Sequence, residues 1–280
     1  MIEQKSFSNN ATTLYVVSTP IGNLKDITLR AIDVLSSVDI ILAEDTRVSG
    51  VLLKHHKIST KMISYHEFNK EYMEERVIGF LEKGKNIALI SDAGTPGISD
   101  PGYEIIKKAI ENGYNVVSIP GASSILTALV TTGLIIQPFT FIGFLPRKNK
   151  EFNEMLEKYK LREETLVIFE SPNRIKETLK KILNVFGNRN IALLRELTKM
   201  HETIIRTTLE ESTSMPITEK GEFVLVVEGH KKSHSGFAIS IDEHVVLYLK
   251  QGLSKMDAIK NVAKDRGVTK SSIYERISKK

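Results

Sequence analysis

The stretch from Leu89 to Gly121 constrains the fold of this chain more than any other. Its sequence, LISDAGTPGISDPGYEIIKKAIENGYNVVSIPG, alternates an apolar run, a glycine-rich loop, a helical segment, a second apolar run and a second glycine turn. This alternation predicts neighbouring parallel strands joined by a helix. In an open α/β sheet, the loops that leave the carboxyl ends of neighbouring strands form the ligand crevice. We therefore expect the two small-residue loops to line one pocket.

The same alternation continues on both sides of this stretch. Apolar runs predict strands at 14–18, 39–43, 63–68, 87–90, 115–119, 166–170, 191–195, 202–208 and 223–228. Pro138 and a change of composition over 135–150 indicate a boundary between two lobes. The later strands are joined by short turns rather than helices, which favours antiparallel pairing. We predict an α/β fold of two lobes, with a mainly parallel N-terminal sheet, a mixed C-terminal sheet and a small helical module at the C-terminus.

These boundaries divide the chain into five predicted parts. They are a flexible N-terminus (1–11), an N-terminal α/β lobe (12–136), a C-terminal α/β lobe (137–230), a linker (231–239) and a basic helix-turn-helix-like module (240–280). Within the lobes, Asp100-Pro101 and Ser171-Pro172 are predicted to open helices, because proline is favoured at the first helical position. Asp100 is accordingly interpreted first as a helix cap and second as a ligand-binding carboxylate.

The module at 240–280 has three helix start signals and a concentrated positive charge. Ser240, Ser254 and Thr269 each stand where a helix N-cap is expected. The chain has a net charge of +5; residues 231–280 contain eleven Lys and Arg against five Asp and Glu, or +6, which leaves −1 for residues 1–230. Phosphate is the partner that such a module favours, and a solvated helical face is the alternative. The predicted core of this module consists of Val245, Leu249, Ile259, Val262, Ile273 and Ile277.

Several classes of protein are disfavoured by what the sequence lacks. The chain contains no cysteine, which excludes a disulfide framework and a cysteine metal site and is compatible with the cytoplasm. No apolar run approaches the roughly 18 residues of a membrane span, so we expect no membrane partner. GFLEKGKN at 79–86 resembles a P-loop, but Asn86 stands where Ser or Thr must hold magnesium. No two glycines are separated by one residue, so the dinucleotide-binding fingerprint is absent.

Eight motifs, in chain order, resemble those of one enzyme superfamily. They are STPIGNLKDITLRA, AEDTR, SYHEFN, LISDAGTPGISDPG, IPGASS, FIGFLPRK, FESPNRI and RELTK, and they extend from about Thr13 to Gly229. The pattern resembles the tetrapyrrole methylase superfamily, and within it the members that methylate the 2′-oxygen of a cytidine in small-subunit (16S) ribosomal RNA. The resemblance implies a homodimer of two-lobed subunits that binds S-adenosyl-L-methionine (SAM) between the lobes.

The resemblance also implies a set of cofactor-binding positions. In the first lobe they are Pro20, Ile21, Gly22, Gly94, Thr95, Pro96, Ile98, Ser123 and Ser124. Thr95 replaces the acidic residue of the superfamily's Gly-Asp-Pro loop, which puts a carboxylate contact at that position in doubt. Phe169 and Glu196, at the ends of second-lobe strands, match positions that close the pocket from the other side.

Methyl transfer to a ribose hydroxyl needs an aligned nucleophile and benefits from a nearby base. Charged residues at strand ends are the catalytic candidates: Glu44, Asp45, Glu170 and Arg195. Glu196 and His66 are alternative bases. The candidate RNA-binding residues are Arg47, Arg147, Lys148, Lys150, Arg174, Lys270 and Arg276. No spacing of His, Asp and Glu suggests a dedicated metal site.

The sequence thus predicts a cytoplasmic SAM-dependent 2′-O-methyltransferase that acts on a cytidine in the decoding region of 16S ribosomal RNA. Its partner would be the free RNA or the assembled small subunit. One alternative is a small-molecule methylase of the same superfamily acting on corrinoid precursors, which would not need a basic module. The other is a non-enzymatic regulator in which the helix-turn-helix binds duplex DNA.

Overall fold

The computed structural model describes residues 3–6, 11–231, 239–266 and 268–278, which belong to two compact units, 1–229 and 230–280. Most of the predicted linker, 232–238, lies outside the described residues, as do 1–2 and 7–10 of the N-terminus expected to be flexible. Gln4, which is described, exchanges two hydrogen bonds of 2.9 Å with the backbone of Val116.

The first sheet of the larger unit is parallel throughout its described strands. They are β1 (Thr13–Val17), β2 (Ile40–Ala43), β3 (Met62–Ser64), β4 (Ile87–Ile90) and β5 (Asn115–Ile119), in the order β3-β2-β4-β1-β5. The helices of this lobe are α1 (Leu29–Ser37), α2 (Thr46–His55), α3 (Lys70–Glu82), α4 (Tyr103–Glu111) and α5 (Ser124–Thr131). All residues of β2 and β4 are buried, because helices cover both faces of the sheet.

The strand order places a topological switch point between β1 and β4. The chain leaves β1 toward β2 on one side of the sheet, and it leaves β4 toward β5 on the other side. Ligand crevices of open α/β sheets form outside the carboxyl ends of such a pair. The loops after β1 and β4 are therefore the ones that the topology leaves open for a ligand.

The second sheet is mixed, as predicted. Its strands are β6 (Phe139–Phe144), β7 (Thr165–Glu170), β8 (Asn190–Arg195), β9 (Thr203–Thr208) and β10 (Phe223–Val227), in the order β6-β7-β10-β8-β9. Only the β6–β7 pair of this sheet is parallel in the described chain. The accompanying helices are α6 (Asn149–Tyr159), α7 (Ile175–Phe186) and α8 (Leu209–Ser212). The predicted fold class is confirmed.

An apolar cluster joins the two lobes. Ala128 and Leu129 of α5, which leaves the first sheet, pack with Val167, Val224 and Val226 on one face of the second sheet. The opposite face of that sheet packs against α6 and α7, so its central strands β7, β10 and β8 are buried on both sides. The lobes consequently share a continuous core and face each other along the edge where the ligand loops emerge.

Four details of the predicted elements are wrong. β3 ends at Ser64, whereas this strand was predicted to continue to 68. α4 begins at Tyr103 after the N-cap Gly102, and α7 begins at Ile175, so neither Asp100-Pro101 nor Ser171-Pro172 opens its helix. Each proline instead lies in a loop that precedes the helix. The connection between β9 and β10 also contains α8, whose start is fixed by a capping box from Thr208, where only turns were expected.

The smaller unit contains α9 (Ile241–Lys250), α10 (Lys255–Arg266) and α11 (Lys270–Ser278). Ser240 forms the predicted capping box, and the hydroxyls of Ser254 and Thr269 accept backbone N–H groups at the starts of α10 and α11. The core contains Val245, Ala258, Ile259, Val262, Ala263 and Ile273, with Ile277 packed against it. Leu249 was predicted in this core but is 40% exposed, because it lies on the outer face of α9.

Helices of the described chain are short. The longest is α3, with 13 residues, whereas a membrane span needs about 20 apolar ones. None of the described helices has both the length and the apolar character for crossing a membrane.

Arg189, just before β8, connects three segments of the second lobe. Its buried guanidinium donates to the carbonyl oxygens of Phe186, Glu228 and Lys160. Burial lowers the pKa of Arg189, which shows that the surroundings disfavour its charge.

We predict that Arg189→Met lowers the free energy of unfolding by about 2–4 kcal/mol, because three carbonyl groups lose their donor. The exposed Arg162 provides a matched control, since Arg162→Met makes the same chemical change in solvent. Urea denaturation of both variants measures the difference. Equal losses for the two variants would contradict the assigned role of Arg189.

Candidate cofactor and active site

A cavity of about 370 Å³ lies between the two lobes, at the edge predicted by the strand order. Its volume is in the range of small-molecule binding sites, about 300–1,000 Å³. The predicted cofactor residues that line it are Ile21, Gly94, Thr95, Ile98, Ser123, Ser124 and Phe169. The loops after β4 and β5 therefore meet at one pocket, as predicted, and Ile21 of the loop after β1, which the family resemblance implied, also lines it.

Hydrogen bonds fix the first-lobe loops to one another. Thr19 and Gly94 exchange backbone hydrogen bonds of 2.8 and 3.1 Å, which form an isolated bridge between the loops after β1 and β4. The Ser18 and Thr95 hydroxyls are 2.8 Å apart, so the Thr95 side chain is already engaged within the protein. Gly94 has a φ of +80°, which glycine adopts without strain. This wall of the cavity is consequently held in place before any ligand binds.

The second lobe supplies an aromatic wall. The Phe169 ring contacts those of Phe141 and Phe144 edge-to-face, with centroids 4.8 and 5.5 Å apart. Phe144 lines the cavity and is 57% exposed, so it lies at the mouth. Gly221, with a φ of +83°, lies against Glu196, because a Cβ there would be 2.5 Å from the Glu196 Cγ.

Four predicted cofactor residues do not line this cavity. Pro20 and Gly22 line an adjacent cavity instead, and Pro96 is buried outside both linings. The Glu196 carboxylate accepts from the Lys199 ammonium at 2.9 Å and from the Glu222 backbone N–H at 3.0 Å. The hydrogen bond from Lys199 lowers the pKa of Glu196. In this structure Glu196 therefore holds the loops of the second lobe together.

The catalytic candidates have different surroundings. The Glu170 carboxylate is fully buried and accepts from the Thr178 hydroxyl at 2.6 Å and the Ser171 backbone N–H at 2.7 Å. These bonds fix the loop after β7, which lines the cavity. The Arg195 guanidinium donates to the backbone oxygens of Lys220 and His201, and Arg195 is outside the cavity lining.

Asp45 is a poor candidate for the group that accepts the proton. Its carboxylate accepts from the Arg47 side chain at 2.6 and 3.1 Å, and these bonds hold the pKa of Asp45 at about 2. It also caps α2 by accepting from the Arg47 backbone N–H. A group of such low pKa is a poor general base.

Three other carboxyl groups cluster at the ends of β2 and β4. Burial raises the pKa of Glu44, with further contributions from the nearby Asp100 and Asp92 charges. Burial likewise raises the pKa values of Asp100 and Asp92. Asp100 lines the cavity, and Gly102 occupies the N-cap position of α4, so the interpretation of Asp100 as a helix cap is wrong. Raised carboxyl pKa values beside a cavity are typical of functional sites.

The predicted RNA-binding residues fall into three groups. Arg147 and Lys148 are exposed on the loop between β6 and α6, just after Phe144, and Lys150 is exposed in the first turn of α6. Arg47 pairs with Asp45, and the Arg174 guanidinium donates to the backbone oxygens of Leu145 and Pro146 at 3.0 Å. Lys270 and Arg276 are exposed on α11 in the smaller unit. His66, the alternative base, is outside both cavity linings.

Sequence reasoning missed the loop before β10. Gly221, Glu222 and Phe223 line the cavity because β10 is antiparallel to β7 and β8. Phe223 pairs with Glu170 and Arg195, so the start of β10 lies at the same edge as the ends of its neighbours. The glycine that precedes the apolar run at 223–228 was the available signal.

The lining is suited to a cationic organic ligand. Its charged residues, all within the described chain, are Asp100, Glu170 and Glu222, which are acidic, and its apolar residues include Ile21, Ile98 and Phe169. SAM has an aromatic base, a sulfonium and an ammonium group, so its chemistry fits such a lining. In the ranges that the structure describes, no group of three or more His, Asp and Glu could hold a metal ion.

Comparisons with known proteins agree with this geometry. The sequence matches the family model described as Tetrapyrrole (Corrin/Porphyrin) Methylases over residues 13–213. It is 49% identical over 269 residues to Ribosomal RNA small subunit methyltransferase I of Halalkalibacterium halodurans, which covers 94% of this chain and 93% of the relative. It is 46% identical over 282 residues to the Bacillus subtilis protein of the same name, with 97% of both chains covered.

Two solved structures show the same fold. Diphthine synthase has a TM-score of 0.59 at 13% identity, and the match covers 79% of this chain and 92% of that one. Uroporphyrin-III-C-methyltransferase from Thermus thermophilus has a TM-score of 0.56 at 20% identity, with 77% and 94% covered. At these identities the likeness concerns the fold alone.

We predict that Asp100→Asn raises the free energy of unfolding at neutral pH by about 1 kcal/mol. A raised pKa means that the folded protein holds its proton more tightly, so the ionised carboxylate of Asp100 destabilises the fold. The gain in the free energy of unfolding should be complete above the pKa that Asp100 has in the folded protein. It should vanish below the ordinary carboxyl pKa of about 4.

Urea denaturation across pH 3–8 measures this gain. Asp33→Asn, at an exposed position of α1, removes the same charge from solvent and is the control. A gain at Asp100 that grows as the pH falls would have the wrong sign and would contradict the assigned burial effect.

Proposed function

The chain belongs to the tetrapyrrole (corrin/porphyrin) methylase family, and we propose that it transfers a methyl group from SAM to the 2′-oxygen of a cytidine in small-subunit (16S) ribosomal RNA. The target would lie in the decoding region. The observation that supports this most strongly is the interlobe cavity, whose loops match the family motifs and whose charged lining is acidic. The close relatives named for small-subunit RNA methylation cover nearly the whole chain.

Within this proposal, each wall of the cavity has a separate task. SAM supplies an electrophilic methyl group on a sulfonium, and the cavity residues hold it. Ile21, Ile98 and Phe169 offer apolar surface for an aromatic base. The loop around Gly94 presents backbone groups without side-chain obstruction. Asp100 and Glu222 supply negative charge toward a cation.

We assign Asp100 and Glu44 as the candidates for accepting the proton of the ribose hydroxyl. A carboxylate whose pKa is raised by burial is a better base than one held at its ordinary value. Asp100 lines the cavity directly, and the Glu44 carboxyl is close enough to interact electrostatically with it. Asp45 and Glu170 serve instead to fix the loops on either side.

The exposed Arg147, Lys148 and Lys150 provide a positive rim for RNA phosphates beside the cavity mouth at Phe144. A small tetrapyrrole would not require this rim, nor the basic Lys270 and Arg276 of α11.

We propose that the enzyme works in the cytoplasm, where ribosomal subunits are found.

We also propose a homodimer. Leu126 and Val130 of α5, together with Ile135, are 57%, 71% and 76% exposed. Clustered apolar side chains of this kind on a soluble surface are typical of an interface.

The first test is tritium transfer from labelled SAM to small ribosomal subunits, or to free 16S RNA, from a strain that lacks this protein. Nuclease digestion and nucleoside analysis should find the label on the ribose of one cytidine. Binding of SAM without transfer to either substrate would favour a small-molecule methylase. No binding of SAM would contradict the methyltransferase assignment, and tight binding to duplex DNA would then support a regulator.

A pair of Ser→Trp variants controls this test. Ser124→Trp should abolish SAM binding and transfer, because Ser124 lines the cavity and the indole would fill it. Ser36→Trp makes the same substitution at an exposed position of α1 that does not line the cavity. Loss of SAM binding in both variants would mean that the cavity has been assigned wrongly.

A further prediction concerns the positive rim. Replacing Arg147 and Lys150 with Gln should reduce the slope of log affinity for RNA against log salt by about 0.7 for each phosphate that the variant no longer neutralises. SAM affinity should not change. Lys83 and Lys85, exposed at the opposite edge of the first sheet, provide the control double substitution to Gln. An equal change of slope in both double variants would contradict a specific rim.

A further inference from the structure

A second cavity, of about 380 Å³, adjoins the first one in the larger unit. The two linings share Ile21, Ala93 and Glu222, so a ligand in one cavity lies directly beside the contents of the other. The second cavity lies between the loop after β1, the helix α2 and the loop after β4.

The walls of this second cavity are mostly apolar. Pro20, Leu24, Val48, Val51 and Leu52 line it, and Val48 and Val51 are 47% and 63% exposed. These two valines are therefore apolar side chains that the described chain leaves partly open to solvent. A flat aromatic ligand would cover them.

One buried hydroxyl in the lining has no hydrogen-bond partner. Ser49 is 3% exposed, and its Oγ makes no hydrogen bond within the described chain. A serine inside a helix commonly bonds the carbonyl four residues earlier, and leaving a buried polar atom unpaired costs free energy. By contrast, the neighbouring Thr19 hydroxyl donates to the Ser91 carbonyl. Ser49 therefore presents an unused donor and acceptor to whatever enters the cavity.

Asp92 supplies a fixed carboxylate at the same cavity. One of its oxygens, Oδ1, accepts from the Asp45 backbone N–H at 3.1 Å, which orients the group. The cation in this lining, the Lys199 ammonium, is already held by Glu196 and Glu222 at 2.9 and 3.0 Å. Among the polar side chains of the lining, the Asp92 carboxylate and the Ser49 hydroxyl are thus available to a ligand between apolar walls.

We propose that this second cavity is a base pocket for the acceptor cytosine, in which Asp92 accepts a hydrogen bond from the exocyclic amine and Ser49 donates to the ring carbonyl. The inference rests on the proposed function. Single-stranded RNA bases are recognised when they are splayed out into pockets with apolar walls and polar edges. The shared wall of the two cavities would place the attached ribose beside the methyl donor.

The base pocket accounts for selection of cytosine over uracil. A carboxylate accepts from the N4 amine of cytosine, whereas uracil has an oxygen at that position, which a carboxylate repels. The ring carbonyl is common to both bases, so Ser49 contributes to affinity without discriminating. The two residues therefore have separable effects.

The experiment measures kcat/KM on small subunits that carry either cytidine or uridine at the target position. The wild type should prefer cytidine by on the order of tenfold or more. Asp92→Asn should lower the rate on cytidine and reduce this preference by about tenfold, because an amide N–H can meet the uracil oxygen. Ser49→Ala should lower both rates by roughly fivefold and leave the preference unchanged.

Stability and cofactor binding give independent readouts. The Ser49→Ala variant should not have a lower Tm, because the hydroxyl has no partner in the folded chain. SAM affinity should be unchanged in both variants. Asp33→Asn on α1 should leave every quantity unchanged.

Three outcomes would overturn the inference. If the wild type is active and Asp92→Asn keeps the full preference for cytidine, the base pocket is overturned but the proposed function is not. Loss of SAM affinity in either variant would assign the cavity to the cofactor instead. Absence of label with the wild type would overturn the proposed function and this inference together. If Asp92→Asn does not fold, an unchanged rate on cytidine in Ser49→Ala would overturn the base pocket.

Discussion

The packing of α5 against the second sheet is the interaction on which the site depends. Ala128 and Leu129 share one apolar cluster with Val167, Val224 and Val226, so the lobes cannot separate without exposing a common core. Ser123, the N-cap of α5, and Ser124, its first residue, line the cavity. A single helix thus joins the lobes and contributes to the ligand wall. Close packing of this kind fixes the distance between facing loops more rigidly than surface hydrogen bonds would.

The site also concentrates acidic groups where burial makes them costly. Glu44, Asp92 and Asp100 all have raised pKa values, because partial burial and mutual repulsion disfavour their ionised forms. The neighbouring Asp45 shows the opposite effect, since Arg47 neutralises it. Functional sites commonly keep such destabilising groups when a ligand requires them. A cation in the interlobe cavity would offset part of this repulsion.

Much of the fold followed from the sequence because its signals are local. The glycine loops after β4 and β5 were predicted to meet, and the parallel strand order brings them together. The lining by Gly221 and Glu222 was missed, because the glycine signals only a turn, and the position of that turn depends on β10 lying antiparallel between β7 and β8. The role of Asp100 was misjudged for a related reason. Asp-Pro is a common helix start, but here the loop continues to Gly102, and the carboxyl group lies against the cavity.

The separation of charge within the larger unit connects these features to recognition of RNA. Carboxyl groups line the inside of the interlobe cavity, while Arg147 and Lys150 are exposed beyond its mouth at Phe144. A phosphate would be repelled from the acidic interior and attracted to the rim, whereas an uncharged base or ribose meets no such barrier. The charge distribution therefore favours entry of a single nucleoside, while the phosphates of the RNA backbone stay outside the cavity. Under the proposed function, that orientation would let a ribose hydroxyl approach a methyl donor held between the lobes.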